Sequence, residues 1–253
     1  MAEPEFVRAL DRGLAVLQAF SAERPVLTVS DVAAATELTR ATSRRFLYTL
    51  EQLEYVRSEA RGYTLTPKVL SIGYPYISAL GIGPVATPRI QALAAQIREA
   101  VTIGTLFDAM YVVVARAESD RIVTASVTIG TARPAHASSL GKVLLAALPE
   151  AELGAYLARD PLHRYTARTI TSETAIRAEL AAVRTQGWAV SEEELEDGLI
   201  SVGAPLYRNH EVIAAINTTS HTGRSTLERM KTEVLPHLLT TATAISADLT
   251  RPS

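Results

Sequence analysis

Residues 138–142, Ser-Ser-Leu-Gly-Lys, are the first place where residue types and spacing could do chemistry. A phosphate-binding loop ends in Gly-Lys, but it also needs Gly at 136 and Ser or Thr at 143, where this chain has His136 and Val143. Ser139 and Lys142 have the S-x-x-K spacing of serine acyl-transfer enzymes. The companion Ser-Asp-Asn and Lys-Thr-Gly motifs are absent, and no G-x-S-x-G elbow occurs. What stays is electrostatic. Ser138 and Ser139 sit where a helix begins after Pro134, and the free N–H groups and positive dipole end of such a start can hold a carboxylate. The two serines could equally serve only as caps. His136, His163, His210, His221 and His237 show no i, i+4 pair and no HExxH, so no metal site is expected. The run 191–197, SEEELED, offers paired carboxylates for acid–base work, but consecutive acids predict a solvated loop.

A second constellation lies in 40–53, RATSRRFLYTLEQL. Thr39 can cap this helix, and Arg40, Thr42, Ser43, Arg44 and Arg45 occupy its first two turns, opposite a predicted buried face of Phe46, Leu50 and Leu53. Short polar and Arg side chains at the start of a helix are what reach base edges in a major groove. Arg57 and Arg61 lie on a predicted hairpin beside it, with Lys68 just beyond. Residues 1–69 carry nine bases and nine acids, so the segment is neutral overall and only its distribution points to nucleic acid.

The elements that must position these residues follow from periodicity. Phe6, Leu10, Leu14, Leu17 and Phe20 predict one apolar face of a first helix. Thr28-Val29-Ser30-Asp31 has capping-box spacing before a short Ala-rich helix, and Glu37-Leu38-Thr39 makes the turn into the third helix. Tyr55–Arg57, a tight turn at 59–62 and Tyr63–Thr66 predict a hairpin. This order is that of a winged helix-turn-helix. A connecting helix bent or ended near Gly73 and Pro75 follows, and the Gly81–Pro84 cluster marks a domain boundary. Beyond it, helices at 84–100, 138–147, 149–158 and 172–186, a last helix from Ser225 to about Leu249, and strand-like runs at 101–130, 188–191, 200–206 and 211–217 predict an α+β domain with an antiparallel sheet.

Length and composition agree. The chain has 253 residues, 47% hydrophobic and 21% charged, enough for two cores and too mixed for a disordered chain. Without cysteine there is no disulfide, thiolate metal site or cysteine nucleophile. No stretch approaches ~18 uninterrupted apolar residues, and the N-terminus lacks an apolar targeting core. A cytoplasmic protein without a membrane partner is expected. The net charge of −2 argues against indiscriminate polyanion binding.

The segments 9–20, ALDRGLAVLQAF; 38–56, LTRATSRRFLYTLEQLEYV; 65–74, LTPKVLSIGY; 134–148, PAHASSLGKVLLAAL; and 192–206, EEELEDGLISVGAPL, with 214–221, AAINTTSH, resemble the IclR (isocitrate lyase regulator) family of bacterial transcription factors over nearly the whole chain. Phe6–Arg8, Arg12–Val16, Arg44–Leu47 and Leu65–Pro67 look like its aromatic-acid branch, the protocatechuate and 4-hydroxybenzoate regulators. The resemblance implies a winged helix over 1–67, a linker helix over 68–83, and a GAF-like effector and oligomerisation domain over 84–253. It also implies a double-stranded operator as partner, dimers that pair into tetramers, no cofactor and no catalysis. Carried over position by position, it names Ala125, Arg133, Ser139, Leu140, Ser191, Ser201, Asn217 and Thr219 as pocket residues, with Ser138 at the helix start. Some relatives have Asp at the place of Ser191 and Cys at that of Ser201. In the aromatic-acid branch the basic residue often stands where this chain has Ala132, one place before Arg133. An inward Arg beside a helix start favours a carboxylate. An aromatic or other organic acid is therefore the expected effector. The alternatives are a regulator with a non-aromatic carboxylate effector, an enzyme using Ser139 and Lys142, or an architectural DNA binder with a vestigial sensor domain.

Overall fold

The computed structural model describes residues 6–119, 127–159 and 161–250. It divides the chain into two compact units, Met1–Tyr76 and Ile77–Ser253. The division falls inside α4 (Leu70–Leu80), which runs through Gly73 and Pro75 and ends before a left-handed Gly81.

In the first unit α1 (Arg8–Gln18), α2 (Val29–Thr36) and α3 (Arg40–Gln52) pack around Val16, Phe20, Leu27, Val32, Leu47, Leu50 and Val56. The capping box forms as expected. The Thr28 N–H donates to Asp31 Oδ2 at 2.8 Å and the Asp31 N–H to Thr28 Oγ1 at 3.2 Å. The Thr28 hydroxyl also donates to Asp31 Oδ2 at 2.7 Å, and this bond, with that from the Thr28 N–H, holds the Asp31 carboxyl below its ordinary value. Glu37 adopts the left-handed conformation between α2 and α3, and Thr39 Oγ1 accepts the Thr42 N–H. The hairpin of β2 (Val56–Glu59) and β3 (Gly62–Leu65) carries a third strand, β1 (Val26–Leu27), on the far side of β3. Gly62 has φ +149°, and a Cβ there would lie 2.5 Å from the Leu27 carbonyl oxygen, so only glycine lets β1 pair.

Two helix faces differ from expectation. On α1 only Val16 is buried, with Phe20 just past its end, whereas Phe6 and Leu10 are 71% and 63% exposed and Leu14 is also exposed. The helix carries two adjacent apolar stripes, and this unit covers only one of them. On α3 the inward row is Ser43, Leu47 and Leu50. Phe46 is only half-buried, and Leu53 is exposed because it caps the helix end as the chain turns away through left-handed Glu54.

The second unit is built on a six-stranded antiparallel sheet in the order β6-β5-β4-β9-β8-β7. Its strands are β4 (Val101–Phe107), β5 (Met110–Ala117), β6 (Ala132–Pro134), β7 (Ala189–Glu192), β8 (Leu199–Arg208) and β9 (Glu211–His221). On one face pack α5 (Ile82–Ile97) and the C-terminal helix, which comprises α9 (Leu227–Arg229), a π-helical turn (Met230–Val234) and α10 (Leu235–Thr250). On the other lie α6 (Ser139–Ala147), α7 (Glu150–Arg159) and α8 (Glu173–Gln186). The architecture is α+β, as expected. No single helix among the described residues is long and apolar enough to cross a membrane.

The start of α6 lies against the strand that leads into it. A Cβ on Gly141 would fall 2.1 Å from the Ala135 carbonyl oxygen, so a side chain at this position has no room. Gly154, on α7, has only the tip of Arg177 within 4 Å. Gly141→Ala is therefore expected to lower unfolding stability by about 1–3 kcal/mol or more through overpacking. Gly154→Ala is expected to raise it by up to about 1 kcal/mol through helix propensity. Urea unfolding of both variants checks this; equal and opposite-to-expected shifts would remove the close-approach account.

Candidate functional site

On α3 the structure leaves Arg40, Arg44 and Arg45 exposed on one side of the helix. Thr39 and Thr42 join their hydroxyls at 2.9 Å as part of the cap. Ser43, expected on the polar face, is instead fully buried with its hydroxyl unpartnered. Its small side chain sits in the helix-packing row one turn before Leu47, which the alternation of arginines around it concealed. Arg57 is exposed but bound to Glu59 and Thr64, while Arg61 stands exposed at the hairpin tip. Lys68 lies 3.4 Å from Glu54 and over the ring of Tyr55. The helix start and the hairpin thus present guanidinium groups suited to phosphate and base edges.

The second unit encloses a cavity of about 370 Å³ over the sheet face that carries α6. Strand alternation makes its floor. On β8, Ile200 and Val202 point to the opposite core while Ser201 faces the cavity; on β9, Ile216 and Thr218 are covered while Asn217 and Thr219 face it. Register aligns Arg116, Thr102 and Asn217 in one row across β5, β4 and β9, and Thr219, Ser201 and Ser191 in the next across β9, β8 and β7. Arg133 on β6 pairs with Tyr111, whose partner on β4 is Leu106. That is four residues from Thr102, or about 13 Å at ~3.3 Å per residue. Arg133 therefore stands toward one end of the cavity and the hydroxyl and amide groups toward the other.

Six expected residues come together here: Arg133, Ser138, Ser191, Ser201, Asn217 and Thr219. Ser139 and Leu140 do not line the cavity. Leu140 belongs to the core under α6, and the Ser139 hydroxyl is buried without a partner. Ala125 lies outside the described residues. Sequence reasoning missed Glu99, Thr102, Tyr111, Arg116, Glu196 and Arg224. One signal was available, since Arg116 interrupts an otherwise apolar strand.

The charges of the lining decide what it can bind. Arg116 donates to Thr102 Oγ1 at 3.1 Å and forks onto Glu118 at 2.6 and 3.2 Å. Arg224 lies 3.8 Å from Glu99, which also accepts the Ser220 hydroxyl at 2.8 Å. Arg133 has no ion pair with any described residue. The Ser191 hydroxyl donates to the Ala137 carbonyl at 3.0 Å, and Ser138 Oγ accepts the Gly141 N–H as the cap of α6. Burial pushes the Tyr111 phenol up, against the pull of Arg133, a hydrogen bond with Ser138, and Arg116. Tyr111 thus stays a neutral donor beside Arg133.

The serine–lysine alternative has no geometry behind it. The Lys142 ammonium is 2.6 Å from Glu194, 3.1 Å from Glu179 and 3.1 Å from the Val190 carbonyl. It is bound away from any role as base, and the buried Ser139 Oγ has no hydrogen-bond partner. The acidic run is not a plain solvated loop either. Glu194 turns inward to Lys142, while Glu192 and Glu193 bind Arg168. Among the described residues no group of three His, Cys, Asp or Glu gathers to hold a metal.

Comparison with known proteins agrees with both units. The IclR helix-turn-helix domain matches residues 9–60, and the C-terminal domain of the bacterial transcriptional regulator IclR matches 74–247. The Pca regulon regulatory protein of Pseudomonas putida is 37% identical over 98% of this chain and 84% of its own length. The p-hydroxybenzoate hydroxylase transcriptional activator of Acinetobacter baylyi is 34% identical over 94% of this chain and 90% of its own. An IclR homologue from Microbacterium hydrocarbonoxydans, solved with 4-hydroxybenzoate, shares the fold with TM-score 0.84 at 23% identity, covering 95% of this chain and 98% of that one. The chain belongs to the IclR family of bacterial transcriptional regulators, and it is a DNA-binding regulator rather than an enzyme.

Proposed function

We propose that this regulator senses a hydroxylated aromatic acid in the second-unit cavity and that occupancy alters its grip on an operator. Residues 1–67 are the DNA-binding part, 68–83 the linker and 84–253 the effector part. The observation that carries this is Arg133, which has no ion pair with any described residue, facing, across one cavity, a floor of Ser201, Asn217 and Thr219. A carboxylate satisfies the guanidinium, and a ring hydroxyl satisfies the far end. The names of the two relatives and the 4-hydroxybenzoate in the Microbacterium structure support the same ligand class. An effector acts only through unequal affinity for two arrangements of the protein.

The operator is read by Arg40, Arg44 and Arg45 of α3, with Arg61 of the hairpin on the phosphates. Two copies pair through the exposed apolar faces of α1 (Phe6, Leu10, Leu14) and α4 (Leu70, Tyr74). Pairing doubles the number of bases read across a dyad. Arg44→Ala is expected to cost ~1–3 kcal/mol at the specific site. Arg61→Ala is expected to weaken all sequences and lower the salt slope by about one. Gel shifts on the DNA upstream of its own operon, at several salt concentrations, separate the two effects. Equal sequence-independent losses from both variants, or a monomer in sedimentation at micromolar concentration, would contradict this arrangement.

For the effector, calorimetry with 4-hydroxybenzoate and its amide is the direct test. Losing a charge-assisted pair costs roughly 1.5–3 kcal/mol, about tenfold to a hundredfold in affinity. Wild type is expected to prefer the acid by that factor. Arg133→Leu is expected to lose the preference while operator binding without ligand is unchanged. Equal binding of acid and amide by wild type would remove Arg133 as the carboxylate anchor.

A further inference from the structure

Lys142 is one of the largest fully buried side chains in the protein, at 1% exposure, and the proposed function gives it no role. It stands on α6, the helix whose cap Ser138 lines the cavity. Its ammonium reaches Glu194 at 2.6 Å, and the next two residues, Leu195 and Glu196, line the same cavity. The other supports of this loop come from outside α6, among them Arg168, 3.2 Å from the Glu193 carboxylate. Thr166 and Thr169 donate to the carbonyls of Glu193 and Glu194, each at 2.6 Å, and the Glu193 N–H donates to the Leu199 carbonyl. Glu194 is thus the side chain through which α6 holds the loop, and a buried carboxylate leaves a buried ammonium only at high cost.

We propose that Lys142 is a positioning residue for the effector site: through Glu194 it fixes the 193–198 loop against α6 and so sets the cavity wall formed by Leu195 and Glu196. The inference rests on the second-unit cavity being the effector site. Neither Lys142 nor Glu194 lines the cavity, so any effect on binding is transmitted through the loop.

Glu194→Ala and Lys142→Met are compared with Arg184→Ala, which breaks a 2.6 Å bond from α8 to the Ala146 carbonyl at the other end of α6. Two readouts are taken: amide exchange at Glu193, Gly198 and Leu199 in the ligand-free protein, and calorimetric affinity for 4-hydroxybenzoate. Glu194→Ala is expected to speed exchange at these amides at least tenfold and to weaken binding at least tenfold. Arg184→Ala, at equal or greater loss of thermal stability, is expected to leave both at wild-type values. If Lys142→Met does not fold, Glu194→Ala carries the comparison. Unchanged loop exchange in Glu194→Ala, or equal effects from Arg184→Ala, would overturn the positioning role. A wild type that binds no aromatic acid would overturn the effector assignment instead, while loop exchange still judges the tether.

Discussion

Burial of the Lys142 ammonium is the interaction on which the second unit's layout depends. One cation draws together α6, α8, the β7 backbone and the 193–198 loop. Glu194 illustrates the balance: burial pushes its carboxyl up, and Lys142 offsets only part of that rise. A buried pair of this kind is weak evidence for stability, because two well-packed apolar residues could do as well. Its consequence here is geometric. It holds a helix and a loop at a set separation over the sheet, and the space between them is the cavity.

The strand floor of that space is polar by construction. The strands alternate, so the residues that complete the core beneath α5 and α10 leave Ser201, Asn217 and Thr219 on the opposite face. Polar groups facing a confined volume need partners, from water or from a ligand. Arg116 and Arg224 have carboxylates beside them. Arg133 has no carboxylate partner among the described residues, whereas at the far end the charges of Arg116, Arg224 and Glu99 are paired among hydroxyl and amide groups. A small acid with a distal hydroxyl matches that asymmetry; a neutral ring or a cation does not.

Much of this was legible in the sequence, and the exceptions have physical causes. The capping box at Thr28 and Asp31, the turn through Glu37 and the cap at Thr39 are local motifs, and they form as their spacing requires. Helix phase was harder. Phe46 and Leu53 were expected to lie in the core of α3, but the inward row is Ser43, Leu47 and Leu50, because a serine in a close-packed row looks polar on paper. The apolar stripe of Phe6, Leu10 and Leu14 was legible as a face but not as an uncovered one. Strand β1 is two residues long, too short to show alternation. Five cavity residues followed from positional resemblance, and Ser138 from the helix start. Tyr111 and Arg116 did not, since which side of β5 faces the cavity depends on the register shift between Ile103 and Gly104. The inward turn of Glu194 was equally invisible, because within a run of acids nothing local distinguishes the one that meets a lysine.

The central claim is that one cavity reads charge at Arg133 and hydroxyl at the opposite end. A crystal structure of the protein grown with 4-hydroxybenzoate tests it most directly. The account predicts the carboxylate on the Arg133 guanidinium beside Tyr111, with the ring hydroxyl over Ser201, Asn217 and Thr219. A ligand bound outside this cavity, or inside it with its carboxylate turned away from Arg133, would contradict it.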